Sequence, residues 1–435
     1  MSRKFRTVAA VTGAAAVALA GCSGSGDAEG ADGGGGGGGG DVQLTWWHNS
    51  NNEPGRGYYE QVAADFEAEN PGVTISIEAL EHEDMLTRLD AAFQTGDQPD
   101  IFMERGGGEL ADHVEAGLVM DITDAASETI ETLGPSIAAG QVEDQVYALP
   151  FSLGVVGFWY NTSLFEEAGI SDPPETMDDL YAAVDSLKDA GIEPISVGAG
   201  DLWPAAHYWY YFVIRECSQE TLDQAATEMD LSDECFTRAG EDLEELIAAE
   251  PFNEGFLATP SQSGPTSASG LLATGQVAME LAGHWEPGVM QGLTDDGEGL
   301  GEDTGWFPFP AVDGAEGDQE AQMGGGDAWA CSADAPPECV DFIEYLLSDE
   351  VQQGFAENDM GLPTNPAAND SVSDPALAEL LQVRDSAPYV QLYLDTQFGE
   401  NVGGAMNDEI GRLFAGQSDP QAIVDATQAA ADREN

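Results

Sequence analysis

Positive charge is what this chain has least of. Twelve Lys+Arg stand against 81 Asp+Glu in 435 residues, a formal net charge of −69. Lysine occurs only at Lys4 and Lys188. A field of that sign repels phosphate, which excludes nucleic acid and anionic lipid surfaces as partners. It also leaves Gly106-Gly107-Gly108 without the lysine that a phosphate-cradling loop needs. Histidine is scarce as well, five in all, and none lies at metal-ligand spacing from a cysteine. No metal site and no cofactor are therefore expected. His82-Glu83 lacks the second histidine of a zinc-protease helix, and no G-x-S-x-G run is present. No apolar stretch reaches the ~20 residues of a membrane-spanning helix. Internal repeats are absent too.

What is present begins with a leader. Arg3, Lys4 and Arg6 precede an apolar stretch over residues 8–20, and Leu19-Ala20-Gly21-Cys22 closes it. That order reads as a signal peptide over residues 1–21 with a bacterial lipobox. It predicts a lipid on Cys22 and tethering to the outer face of the cell membrane, with no other membrane attachment. A plain secreted protein is the alternative. Residues 22–41, with eight consecutive glycines at 33–40, have no apolar face and should form a flexible leash. Cleavage leaves nine basic residues against 81 acidic ones, so −69 becomes −72. Such charge often means disorder. Here 42% of residues are hydrophobic and tryptophans occur along the whole chain, so a folded core is expected. Dense carboxylates then suggest a protein adapted to salt, in which the Debye length shrinks to roughly 3 Å at 1 M.

Four cysteines follow the anchor: Cys217, Cys235, Cys331 and Cys339. An even number in an exported chain suggests two disulfides, and three pairings are possible. The local one, Cys217–Cys235 with Cys331–Cys339, needs least rearrangement.

The part beyond the glycines is too long for one compact core and suits two lobes. Val42, Leu44 and Trp46 alternate as in a strand; Tyr58, Val62 and Phe66 mark a helix that stops at Asn70-Pro71-Gly72. Val73, Ile75 and Ile77 alternate again, Met85, Leu86, Leu89 and Phe93 mark a second helix, and residues 99–103 read as a short buried strand. This β-α-β-α-β order predicts a parallel sheet with helices on its faces. Ligands on such sheets bind beyond the carboxyl ends of the strands, at loops starting here with Trp47 and Glu104.

Pro150-Phe151-Ser152 is followed by Gly157-Phe158, Tyr160-Asn161, Phe165 and Glu167. In these residues the chain resembles family-1 extracellular solute-binding proteins, the receptors of ATP-driven sugar importers. Trp159 departs from the pattern, being larger than the usual residue there. Residues 96–102, 305–310 and Gly361-Leu362-Pro363 also look like this family. More narrowly, residues 46–51, 111–121, 203–209 and 395–403 are similar to actinobacterial xylo-oligosaccharide-binding lipoproteins. The resemblance implies a type II periplasmic-binding-protein-like fold, with two α/β lobes joined by crossing segments around a ligand cleft. Crossings are expected near Phe151, Trp306 and Gly361. They assign residues 42–150 plus 306–360 to one lobe and 151–305 plus 361–435 to the other. The implied partners are an oligosaccharide and the membrane subunits of an ABC permease, with the receptor itself a monomer.

A sugar offers flat C–H faces and a rim of hydroxyls. Aromatic rings meet the former and directional donors and acceptors the latter. Candidates after the first strand are Trp47, His48, Asn49 and Asn51, with a surface loop as the structural alternative. Glu104 and Arg105 beside bare Gly107 form a second group, or else a structural ion pair. The aromatic stretch that starts at Asp201 offers Trp203 and His207, four apart and so on one helix face, with Asp201 beside them as a third candidate. Trp209, Tyr210 and Tyr211 are expected to pack. Trp285 is a candidate stacking platform. Gly325 and Asp327 form a bend with a carboxylate, and Phe398 and Asn401 are candidate rim contacts. Two other functions stay open. A same-fold receptor for ferric ion would use tyrosines such as Tyr58-Tyr59 or Tyr210-Tyr211, and an anion receptor has mainly Arg105 to offer. A glycoside hydrolase needs two carboxylates at defined separation, and 81 carboxylates nominate none in particular.

Overall fold

The computed structural model describes residues 41–434. The leader, Cys22 and the leash up to Gly40 lie outside them. Twelve strands position the site: β1 (Val42–His48), β2 (Val73–Ala79), β3 (Ile101–Glu104), β4 (Ala148–Pro150), β5 (Gly154–Val155), β6 (Gly157–Asn161), β7 (Glu193–Ser196), β8 (Val277–Ala282), β9 (Thr304–Pro308), β10 (Gln322–Gly325), β11 (Ala328–Cys331) and β12 (Val390–Leu392).

The first lobe is built on the sheet β2-β1-β3-β11-β4. The strand β1 runs parallel to β2 over its full length and parallel to β3 at Trp46↔Ile101. The expected β-α-β-α-β unit is thus present, with helices at Gly55–Glu69 and His82–Thr95. The antiparallel strands β11 and β4 complete the sheet from distant parts of the chain. Leu44, Trp46 and His48 share the buried face of β1. Trp46 meets Trp329 and Phe342 edge-on at 5.2 and 5.1 Å, the preferred geometry for aromatic pairs.

The second lobe carries the sheet β9-β6-β8-β7. Its core centres on the helix Trp203–Glu216, where Tyr211 stacks on Phe309 at 4.5 Å. At the end of β6, Asn161 caps the next helix by accepting the Leu164 N–H at 3.1 Å. Arg215 is fully buried; it donates to the carbonyls of Phe309 at 2.9 Å and Ala321 at 2.7 Å and lies over the Tyr211 ring. A buried guanidinium needs such acceptors. These bonds bind residues 309–321 to the second lobe.

That corrects one expectation. Trp306 does not lie at a crossing: β9 is an edge strand paired with β6, and Trp306 sits 2% exposed in a core with Trp159. The chain returns to the first sheet later, between β10 and β11. The strand β10 pairs antiparallel with β5 and parallel with β12, making a small third sheet between the lobes. The outer crossings run through residues 151–153 and 361–363, joined by Leu153 N–H to the Leu362 carbonyl at 3.1 Å.

Both local disulfides are present, Cys217–Cys235 and Cys331–Cys339, with Cα atoms 5.2 and 6.1 Å apart. No helix among the described residues is long and apolar enough to cross a membrane.

Candidate functional site

The lobes meet where three chain segments converge on Arg105. Arg105 follows β3, and its guanidinium pairs with Glu109 one helical turn on, Nε to Oε1 at 3.2 Å. Burial pulls its pKa down, but the charges of Glu109, Asp395 and Asp327 outweigh this and raise it. Asp327 comes from the bend between β10 and β11. Burial pushes its carboxyl up to about 6, against the pull of Arg105. Asp395 begins a short helix, Leu394–Phe398, where it accepts the Thr396 N–H at 2.8 Å and an Asn407 amide N–H at 3.1 Å.

Aromatic rings of the second lobe cover this charged floor. Trp203 and His207, one turn apart, have ring centroids 5.0 Å apart. Trp285 meets Trp203 edge-on at 6.2 Å, and Tyr393 stacks on His207 at 5.2 Å. The Trp203 indole N–H donates across the cleft to Glu83 of the first lobe at 2.9 Å. Burial pushes the Glu83 carboxyl up to about 7, with the Trp203 bond pulling the other way. Beside it His82 bonds Asn49 at 3.1 Å. Burial lowers His82 to about 4, helped by Arg105, and lowers His207 to about 4 against Asp395, so both rings are neutral near pH 7. Three polar atoms in this cluster are buried without a hydrogen-bond partner: His207 Nδ1, Trp285 Nε1 and the Tyr393 hydroxyl. Buried polar groups are normally paired; unpaired indole N–H groups also occur in the cores at Trp46, Trp209 and Trp306, whereas these three lie together where the two lobes meet.

The sequence-derived candidates divide accordingly. Arg105, Trp203, His207, Trp285 and Asp327 come together. Asp201 stands behind Trp203, its carboxylate held by the Ser261 N–H at 2.6 Å and hydroxyl at 2.8 Å. Glu104 is 1% exposed and paired with His113 at 3.0 Å. Gly107, at φ +59°, lets its helix approach the Leu394–Phe398 segment, since a Cβ there would lie 2.7 Å from the Thr396 carbonyl. Gly325 makes room for the Tyr393 ring in the same way. Asn49 reaches the site through His82, and Asn51 turns the loop by bonding the Asn49 carbonyl at 2.8 Å.

Four candidates are placed elsewhere. The strand β1 runs two residues past Trp46, so the His48 side chain falls on the core face, fully buried 4.6 Å from Trp46. Trp47 lies on the other face under the Arg88 guanidinium at 4.5 Å, packed against the small core around Phe102. Phe398 is 3% exposed in the second lobe's core, because the short helix turns it inward. Asn401 is exposed in the first turn of the helix Glu400–Phe414. Sequence reasoning missed His82, Glu83, Glu109, Tyr393 and Asp395. The pair His82-Glu83 was visible only as half of a zinc motif, and Tyr393 carries no local signal.

The tyrosines do not form a metal pocket. Tyr210 donates to Asn407, Tyr211 to the Val156 carbonyl and Tyr58 to the Val351 carbonyl, and burial raises all three phenols above their usual range. Among the described residues no group of three or more His, Cys, Asp or Glu stands where it could hold a metal ion.

Behind Trp285 lies a buried acid pair. Glu280 is 4% exposed and Glu286 fully buried; Glu286 accepts the Ser269 hydroxyl at 3.1 Å. Burial raises both carboxyls, and the charge of Glu286 raises Glu280 further. The folded chain therefore holds protons that the unfolded chain releases near the ordinary carboxylate range. This stability is full below that range and is lost as pH rises through the raised folded values. At high salt, which mutes the surface charges, the melting temperature should fall between about pH 5 and about pH 8. Glu280→Gln should flatten that fall; an unchanged slope would clear the pair of it.

The family described as bacterial extracellular solute-binding protein matches residues 49–353. The chain is 24% identical over 400 residues to the diacetylchitobiose binding protein DasA of Streptomyces coelicolor, covering 87% of this chain and 86% of that one. Three putative binding proteins of Brucella are 30% identical over 176 residues, and this match spans 42% of their length, 39% of this chain. Among solved structures, one from work on xylan utilization by the thermophile Caldanaerobius polysaccharolyticus superposes with a TM-score of 0.82 at 24% identity. It covers 89% of this chain and 99% of its own. A chitin oligosaccharide binding protein gives 0.81 at 24% identity, with 90% and 98% covered. At such identities the likeness of structure establishes the two-lobe fold.

Proposed function

We propose, from the premise that this chain belongs to the bacterial extracellular solute-binding protein family, that it captures an oligosaccharide between its lobes and presents it to the membrane subunits of an ABC importer. The observation that carries this reading is the ring cluster Trp203, His207, Trp285 and Tyr393, which holds three unpaired polar atoms and adjoins the charged groups Arg105, Asp327 and Asp395 through His207 and Tyr393. Rings offer flat apolar faces, and the unpaired atoms offer directional bonds for hydroxyls. Binding by closure makes and breaks no covalent bond.

The ligand is a β-linked oligosaccharide of flat, equatorial pyranoses, of which a xylo-oligosaccharide is the leading member. An anion is disfavoured because Glu109, Asp395 and Asp327 already surround Arg105. A ferric ion is disfavoured because Tyr58, Tyr210 and Tyr211 spend their hydroxyls on protein acceptors. The mature protein acts as a monomer, anchored outside the cell membrane through lipid on Cys22, in a saline habitat that its carboxylates suit.

A thermal-shift screen at high salt tests this. Xylobiose, xylotriose, cellobiose, diacetylchitobiose, maltose, ferric ion and several amino acids form the panel. A ligand at 100 times its Kd stabilises by about 2.7 kcal/mol. The expected result is a shift with one β-linked series. A shift with iron or an amino acid alone would keep the fold and overturn the function.

A further inference from the structure

Two of the three crossing segments close on one side chain of the second lobe. His284 follows β8, is 3% exposed and shares a 2.6 Å hydrogen bond through Nε2 with the Ser152 hydroxyl in the first crossing. A Cβ on Gly154, the first residue of β5 directly after that crossing, would lie 2.3 Å from the imidazole Cγ and Nδ1. A Cβ on Gly361, in the third crossing, would lie 2.9 Å from its Cδ2 and 3.1 Å from the Ser152 hydroxyl oxygen. Gly361 also sits at φ +142°, a conformation other residues rarely adopt. Glycines at or directly after both crossings therefore leave out a side chain where the imidazole is wedged. Arg384 of the second lobe clamps the first crossing again, donating to the Leu153 carbonyl at 2.8 Å.

The next residue is the candidate stacking platform. The Trp285 ring lies 5.4 Å from His284 and folds back over Gly283, where a Cβ would meet it at 2.2 Å. The Gly283 carbonyl is itself fixed, accepting the Trp159 indole N–H at 2.9 Å. One peptide unit thus separates a wedge in the hinge from a ring in the cleft, and both its flanks are pinned.

We infer that His284 is a positioning residue: it couples the set of the two crossings to the pitch of the Trp285 ring, so that closing the lobes and orienting the platform are one motion. The inference rests on the receptor reading only for its purpose. The coupling itself belongs to the ligand-free chain and is tested there.

The full chain is labelled with fluorotryptophan, and the Trp285 resonance is assigned by its loss in Trp285→Phe. Fluorine spectra and the radius of gyration from solution scattering are then compared without ligand. In His284→Ala the Trp285 resonance should shift by more than its linewidth and the radius of gyration should grow. His284→Gln keeps a partner for Ser152 and should restore both toward wild type. Gly154→Ala presses the wedge from the hinge side, leaves His284 in place and should move the same resonance. A fall in melting temperature with the resonance and radius unchanged would reduce His284 to core packing and overturn the inference. Failure of the whole sugar panel would sink the receptor reading and leave these measurements standing.

Discussion

Trp203→Ala is expected to weaken binding of the panel's best sugar by at least about 100-fold, or about 2.7 kcal/mol. Three losses coincide at this position. The largest is the stacking face, since a Trp ring carries a large apolar area and ranks among the residues that dominate binding when truncated. The second is the indole N–H, which without ligand has an acceptor in Glu83. The third is the support of His207, whose ring packs 5.0 Å away. Trp203→Phe keeps a ring and loses the N–H, so it should fall between wild type and alanine. Trp47→Ala and Phe398→Ala serve as controls: both should lower the melting temperature, because both rings are packed, and both should leave affinity within a few-fold. Isothermal titration reads all four. Equal losses at Trp203 and Trp47 would mean that the cleft has been placed wrongly.

The Trp203–Glu83 bond also bears on the free receptor. It joins the lobes directly, so an incoming hydroxyl must take over the indole N–H or accept a place beside it. Leaving Glu83 without that donor removes a bond that favours the ionised form of a half-buried carboxyl. Sugar binding and the protonation of Glu83, pushed up to about 7, are thereby linked. Affinity should fall as pH rises through about 7 in wild type, and Glu83→Gln should lessen that fall.

How much of this could be read beforehand follows from range. The first three strands and two helices were legible because alternation and helical spacing are local, and the caps confirmed their ends: Glu81 accepts the Glu83 and Asp84 N–H groups, and Gly96 closes the helix at φ +75°. The local disulfides were legible for the same reason. His48 failed by two residues of strand length, since a strand that continues past Trp46 returns every second side chain, and so His48, to the same buried face. Trp306 failed because an apolar, proline-bearing segment serves equally as an edge strand or a crossing. The true crossing announced itself only as Gly324-Gly325-Gly326, glycines needed because Val155, Tyr393 and Ser152 approach closely. Tyr393 could not be found at all. It reaches the cleft because β12, three residues long, pairs with β10 some 70 positions upstream, at Gln322↔Val390.

Salt is expected to raise the melting temperature steeply between dilute buffer and roughly 2 M NaCl, most of it before the Debye length has fallen to about 3 Å at 1 M. The reason lies in where the few cations go. Arg56, Arg88, Arg238, Arg384 and Arg412 each form an ion pair with one carboxylate, and Arg105 pairs with Glu109 while also facing the charges of Asp395 and Asp327. Arg215 is used up on backbone carbonyls, and Lys188 donates to the Ala249 carbonyl. Nine basic residues after cleavage cannot match 81 acidic ones, and the mutual repulsion of the excess carboxylates is stronger in the folded chain, where they are closer, than in the unfolded one. Simple ions screen that repulsion whatever their identity, so sodium and potassium chloride should act alike at low concentration. Any further rise above about 1 M must come from a different effect, the exclusion of salt from apolar surface, and should be larger with sulfate than with chloride. Scanning calorimetry in the three salts separates the two contributions. A flat response in all of them would mean that the folded chain spaces its carboxylates as widely as the unfolded one, and that its acidity has no connection with salt.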